Sequence, residues 1–215
     1  MTSKLPQPPL LLVTDRRQAR RPLQTVVTAA LSAGCRWVSL REKDLPADEQ
    51  ILLARSLLPI VHAQHGQLML HGEASLARDA GIDGVHLPAG RDAAAARALI
   101  GSEKIILGVS IHTVTEAERI DPACVDYALA GPAFETPSKP GYGPEIGRKG
   151  LADIAHARRV PVLAIGGINA ARIGEVLAAG AAGVAVMGGV MRAADPAQEM
   201  RALLASLNGA LAIRS

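Results

Sequence analysis

Two textures alternate along the chain. Short apolar runs bounded by glycine, proline or charged residues predict strands at Leu10–Thr14, Trp37–Arg41, Leu68–His71, Gly84–Leu87, Ile105–Ser110, Tyr127–Ala130, Val162–Ile165 and Val184–Met187. Each is followed by a stretch with apolar residues at helical spacing: Gln24–Ala33, Asp48–Ala63, Glu73–Ala80, Asp92–Ile100, Val114–Ile120, Gly150–Arg158, Ala170–Ala179 and Pro196–Leu207. Several of these end at a glycine, as in Ala33-Gly34, Ala80-Gly81 and Ala179-Gly180, the residue that most easily closes a helix. Strict alternation requires parallel strands, and eight units in 215 residues predict a closed (β/α)8 TIM barrel spanning residues 1–215 as a single domain. A doubly wound open sheet is the competing arrangement, but no Gly-x-Gly-x-x-Gly follows the first run, where a dinucleotide fold needs one.

In a barrel of this kind chemistry gathers at the C-terminal strand ends. The last two runs finish in glycine pairs, Gly166-Gly167 and Gly188-Gly189, each ahead of a helical stretch. Bare backbone N–H groups and the positive end of a helix suit an anionic oxygen, so the predicted tenant is a phosphate. The second run ends Ser39-Leu-Arg-Glu-Lys43, and period-two alternation places Ser39, Arg41 and Lys43 on one side. Either the two cations hold an anionic substrate group, or Arg41 is tied up in an ion pair with Glu42 or Asp15. The fifth run ends Ser110-Ile-His112, which aims a hydroxyl and an imidazole at the same space. His71 and His86 end the third and fourth runs, so a three-histidine metal site is an alternative, though no supporting carboxylate pattern accompanies it. After the sixth run, Gly131–Pro144 is too rich in proline and glycine for regular structure. It reads as a binding loop offering Thr136, Ser138 and Lys139, or as a surface excursion.

Composition narrows the partners. With 23 Lys+Arg against 20 Asp+Glu and an aromatic share of 2%, the chain has no stacking platform for nucleic acid, and its slight excess of positive charge suits a small anion. No long apolar span, secretory leader or low-complexity tract is present, which predicts a soluble cytoplasmic protein without a membrane partner. Cys35 and Cys124 are isolated and lack metal-ligand spacing. Arg16, Arg17, Arg20 and Arg21 follow the first run and form either a solvated basic loop or a lid.

Over nearly its whole length the sequence resembles the thiamine phosphate synthase/TenI family. The matching phrases are Leu40-Arg-Glu-Lys43, Gly84-Val-His-Leu87, Gly108-Val-Ser-Ile-His112, Phe134-Glu-Thr-Pro-Ser-Lys139, Ala164-Ile-Gly-Gly-Ile168 and Gly183-Val-Ala-Val-Met-Gly188. The resemblance implies a barrel handling a phosphorylated thiazole, with Gly166, Gly167, Met187 and Gly188 on the phosphate, Lys139 closing over it, and a possible homodimer. It also implies two activities. Synthases join a hydroxymethylpyrimidine pyrophosphate to the thiazole phosphate with Mg²⁺, using acids in Asn-Asp after the third strand and Gly-Gln-x-Asp after the fourth. Here those places read His71-Gly72 and Pro88-Ala-Gly-Arg91, and the glutamine two residues before the arginine is Ser39. The departures favour the thiazole tautomerase branch, a metal-free isomerase with no cofactor. There His112 would shuttle the proton, Arg41 would hold the carboxylate, and Ser110, His86, Lys43 and Thr136 would assist. A Mg²⁺-dependent synthase and a non-catalytic phosphate-binding relative are the alternatives.

Overall fold

Strand β1 (Leu10–Val13) pairs in parallel with β2 (Trp37–Leu40) on one side and β8 (Gly183–Val186) on the other, so the sheet has no edge. Between them, in chain order, run β3 (Gln67–His71), β4 (Gly84–Leu87), β5 (Ile106–Ile111), β6 (Tyr127–Ala130) and β7 (Val162–Ile165). This computed structural model describes residues 5–136 and 145–213. The expected (β/α)8 barrel is what these residues build.

Helices α1 (Leu23–Ser32), α2 (Ala47–His62), α3 (Ala74–Ala80), α4 (Ala93–Ile100), α5 (Val114–Glu118) and α6 (Gly147–Ala157) each follow the strand of the same number. The seventh connection opens as a 3₁₀ turn at Ala170–Arg172 before α7 (Ile173–Ala178). The Asn169 side chain caps that turn by accepting the Arg172 N–H at 3.1 Å. A four-residue helix, α8 (Gly188–Met191), follows β8 before α9 (Pro196–Ala212). Periodicity misses α8 because four residues hold barely one turn.

Alternation along the strands sorts the core into two shells. Leu11, Val13, Trp37, Met69, Ile106, Tyr127, Leu129, Leu163 and Ala185 fill the barrel. Their neighbours Leu10, Leu12, Val38, Leu68, Val85, Leu107, Ala128 and Val184 face the helices. A barrel lumen holding Trp37 and Tyr127 needs missing side chains elsewhere, and Gly84 and Gly108 supply them. A Cβ on Gly84 would overlap Met69, and one on Gly108 would overlap the Tyr127 ring. His86, Gly108 and Tyr127 stand side by side across β4, β5 and β6. The Tyr127 ring crosses the glycine to reach the histidine.

Candidate active site

A cavity of about 330 Å³ opens at the C-terminal ends of the strands. Arg41, His71, Ser110, His112, Thr136, Gly166, Gly167, Met187 and Gly188 all line it. His86 lies beneath its floor, fully buried. Ser138 and Lys139 fall outside the described residues.

On one wall the glycines have two reasons to be glycine. Gly166 (φ +101°) and Gly167 (φ +65°) are left-handed. In addition, a Cβ on Gly166 would come within 2.8 Å of Pro132 Cα, and one on Gly167 within 2.6 Å of the Glu135 carbonyl oxygen. The segment after β6 is thus laid directly on this turn, with Ala133 donating to the Ile165 carbonyl at 2.7 Å and Phe134 to that of Gly166 at 3.1 Å. The turn's carbonyls are used by the neighbouring segment. Among the described residues no acceptor takes the N–H groups of Gly166, Gly167 or Gly188.

Two cations on this wall escape a reading of strand ends, because they sit on the helical side of the loops. Arg172 donates to the Gly167 carbonyl at 3.0 Å and stacks over the Phe134 ring at 4.4 Å. Arg192, just past α8, donates to Gln18 from the segment after β1. Both line the cavity. Their sequence signal is an arginine three to five residues beyond each glycine pair.

Across the cavity Arg41 follows β2. Its backbone N–H donates to Thr14 Oγ1 at 3.0 Å, and that hydroxyl donates to Glu42 Oε1 at 2.7 Å. Buried Glu42 also takes the Arg16 N–H at 3.0 Å and the Arg16 guanidinium at 3.3 Å. The expected ion-pair alternative therefore resolves against Arg41: Glu42 is engaged with Arg16, and among the described residues the Arg41 guanidinium pairs with no carboxylate. Arg16 is pinned again by Asp44 at 2.7 Å, and Arg21 donates to the Ala194 carbonyl at 3.0 Å, so the basic segment is docked at both ends. Glu42→Ala would strip buried donors of their acceptor, and a loss of about 2–4 kcal/mol is expected in denaturant unfolding. A loss below about 0.5 kcal/mol, the scale of an ordinary surface change, would show that the network is incidental.

Lys43 does not join Arg41. Strand β2 ends at Leu40, so period-two alternation stops short of Lys43, which is exposed and outside the cavity lining. Desolvation and then the nearby charge of Arg41 lower its pKa.

His112 is held from both ends. Its backbone N–H donates to Glu116 Oε2 at 2.6 Å, the same carboxylate that closes the capping box of α5 with Thr113. Its ring Nδ1 lies 2.5 Å from the Gly131 carbonyl, which can only accept. The neutral ring then carries its proton on Nδ1 and its lone pair on Nε2. Ser110 Oγ is 2.9 Å from His86 Nε2, and His86 Nδ1 is 3.0 Å from the Tyr127 hydroxyl.

The three histidines do not converge on a metal. His86 uses both ring nitrogens on protein hydroxyls, and His71 lies beside it with ring centroids 4.8 Å apart. Among the described residues no group of three or more His, Cys, Asp or Glu is arranged to hold a metal ion. Also among them, no helix is long and apolar enough to cross a membrane. Buried Cys35 has its thiol pushed up to about 11 by desolvation, which keeps it unreactive.

Fold and cavity together define a class: a (β/α)8 barrel whose ligand cleft sets glycine-rich backbone against arginine side chains. Within that class the chain belongs to the thiamine monophosphate synthase family, whose model matches residues 10–190. It is 43% identical over 204 residues to the thiamine-phosphate synthase of Roseiflexus sp., covering 93% of this chain and 85% of that one. It is 44% identical over 200 residues to a putative thiamine-phosphate synthase of Geobacter sulfurreducens, covering 92% and 93%. Among solved structures, a thiamine phosphate pyrophosphorylase from Pyrococcus furiosus superposes with a TM-score of 0.83 at 28% identity, covering 94% of this chain and 96% of that one.

These relatives overturn the tautomerase reading and the isomerase class with it. That expectation rested on a few local departures, at Ser39, 71–72 and 88–91, whereas relatives matching nine-tenths of the chain carry synthase names. The paired glycines do not choose between the two activities, because the resemblance implies a phosphorylated thiazole for both.

Proposed function

We propose that the protein is a transferase of the thiamine-phosphate synthase type, joining a hydroxymethylpyrimidine pyrophosphate to a thiazole phosphate. The observation that carries this reading is a single cavity of about 330 Å³ lined after β7 and β8 by Gly166, Gly167 and Gly188, whose amide N–H groups have no acceptor among the described residues, and after β2 by Arg41. Two anionic substrates need two such sets of donors. In the transfer, the bond from the pyrimidine methylene carbon to the pyrophosphate oxygen breaks, and the thiazole nitrogen supplies the electron pair for the new carbon–nitrogen bond. The departing pyrophosphate carries the bonding electrons away. Held at the glycine turn by its phosphate, with Arg172 and Arg192 alongside, the thiazole is positioned for attack. Arg41 draws the leaving group's charge to the other wall. His112, locked by Gly131 and Glu116, presents Nε2 to the cavity as a hydrogen-bonding group.

The family likeness brings Mg²⁺ with it, and the residues present do not fit that ion. Where the family's acids would stand, the chain has His71, Gly72 and Arg91. Arg91 forms an ion pair with Glu73, and Asp92 is occupied as the cap of α4, accepting the Ala95 N–H at 2.9 Å. Mg²⁺ prefers hard oxygen ligands, including one or two carboxylates. This favours one second reading, a binder of thiazole phosphate that performs no transfer.

Incubation of the protein with both substrates, with and without Mg²⁺, separates the two. Thiamine phosphate should form; binding of thiazole phosphate with no product in either condition would replace the transferase reading with the second.

A further inference from the structure

The floor of the cavity holds a relay that neither wall uses. Tyr127 is fully buried, and its hydroxyl meets His86 Nδ1 at 3.0 Å; His86 is fully buried, and its Nε2 meets Ser110 Oγ at 2.9 Å. Ser110 alone of the three reaches the cavity.

The proton order follows from elimination. A neutral imidazole carries one N–H, so the relay runs in one of two senses. If Nδ1–H donated to Tyr127, the phenol proton would need another acceptor. Trp37, packed edge-on at 4.7 Å, is a donor only, and among the described residues His86 is the phenol's one hydrogen-bonding partner. A buried donor left unmet costs more than an unused lone pair. The phenol therefore donates to Nδ1, Nε2–H donates to Ser110 Oγ, and the serine's own proton is directed into the cavity. Burial also raises the phenol's pKa, so the proton that starts the relay stays on Tyr127.

We infer that Tyr127 and His86 are positioning residues that turn the Ser110 hydroxyl proton away from His86 and toward the cavity, so that the site favours a ligand presenting an acceptor atom, such as a ring nitrogen or ester oxygen, over Ser110. The inference rests on the transferase reading only for the identity of the two ligands. Gly108 makes the relay possible, since any side chain there would occupy the path of the Tyr127 ring.

The test uses ¹⁵N-histidine-labelled protein without substrate, with the His86 signals assigned by their loss in His86→Gln. A pyrrole-type Nε2 and a pyridine-type Nδ1 are expected in the wild type, with Tyr127→Phe mixing the tautomers. An Nδ1–H tautomer in the wild type would overturn the inference. Calorimetry with thiazole phosphate and with hydroxymethylpyrimidine pyrophosphate then reads a double-mutant cycle that needs no turnover. Tyr127→Phe should weaken one of the two ligands about fivefold when Ser110 is present and leave binding unchanged in the Ser110→Ala background. Equal losses in both backgrounds, or no loss with either ligand, would mean that Tyr127 does not act through Ser110. Failure of the transfer assay leaves both arms readable.

Discussion

Gly166→Val is expected to abolish useful binding of thiazole phosphate, weakening it at least about a hundredfold, the equivalent of two charge-assisted hydrogen bonds. Two independent effects act at one atom. At φ +101° a β-branched residue is strained by about 1–3 kcal/mol, and the new Cβ would lie 2.8 Å from Pro132 Cα. Backbone cannot yield as a flexible side chain does, so the segment from Pro132 to Glu135 must lift off the turn. The amides of Gly166 and Gly167 then lose their aim together. Calorimetric titration checks the affinity, and circular dichroism checks that the barrel persists. Wild-type affinity in a folded variant would remove the turn from the binding site.

Arg41→Ala is expected to lower kcat/KM about a hundredfold, on the scale of a charged hydrogen-bonding group facing an anion, while changing stability little. The reason for the split is that the backbone at residue 41, not its side chain, is tied into the Thr14–Glu42 network. Arg41→Lys should recover only part of the loss, because an ammonium lacks the planar fork that grips two oxygens at once. Steady-state kinetics beside thermal unfolding tests this. An unchanged kcat/KM with a lowered Tm would make Arg41 structural.

The barrel was legible because eight apolar runs alternate with helical stretches, and every strand end falls within a residue of its expected position. Val184–Met187 shifts to Gly183–Val186, and the start of α6 moves back to Gly147, both at glycines where local sequence is permissive. Ser110 was legible because alternation fixes direction within β5, and Arg41 and His112 because each stands one residue past its strand. Lys43 was not, since the strand ends first. Arg172 and Arg192 depend on helical turns after the loops, and the Tyr127 relay depends on a neighbour across two strands, a relation periodicity cannot carry. The tautomerase reading failed for a different reason: absent acids in two loops were weighed as chemistry, while the body of the chain follows synthase relatives.

Closure of the barrel through β1 and β8 also fixes when the site comes into being. Arg41 follows β2, early in the chain, whereas Gly188 follows β8, and the two are brought together only when Leu12 aligns with Val186 across the seam. A nascent chain stopped before β8 has neither the seam nor Gly188 at the cavity. Ligand can therefore stabilise the finished barrel by mass action but cannot template the early strands, and a refolding chain gains from it only once this most sequence-distant pairing has formed.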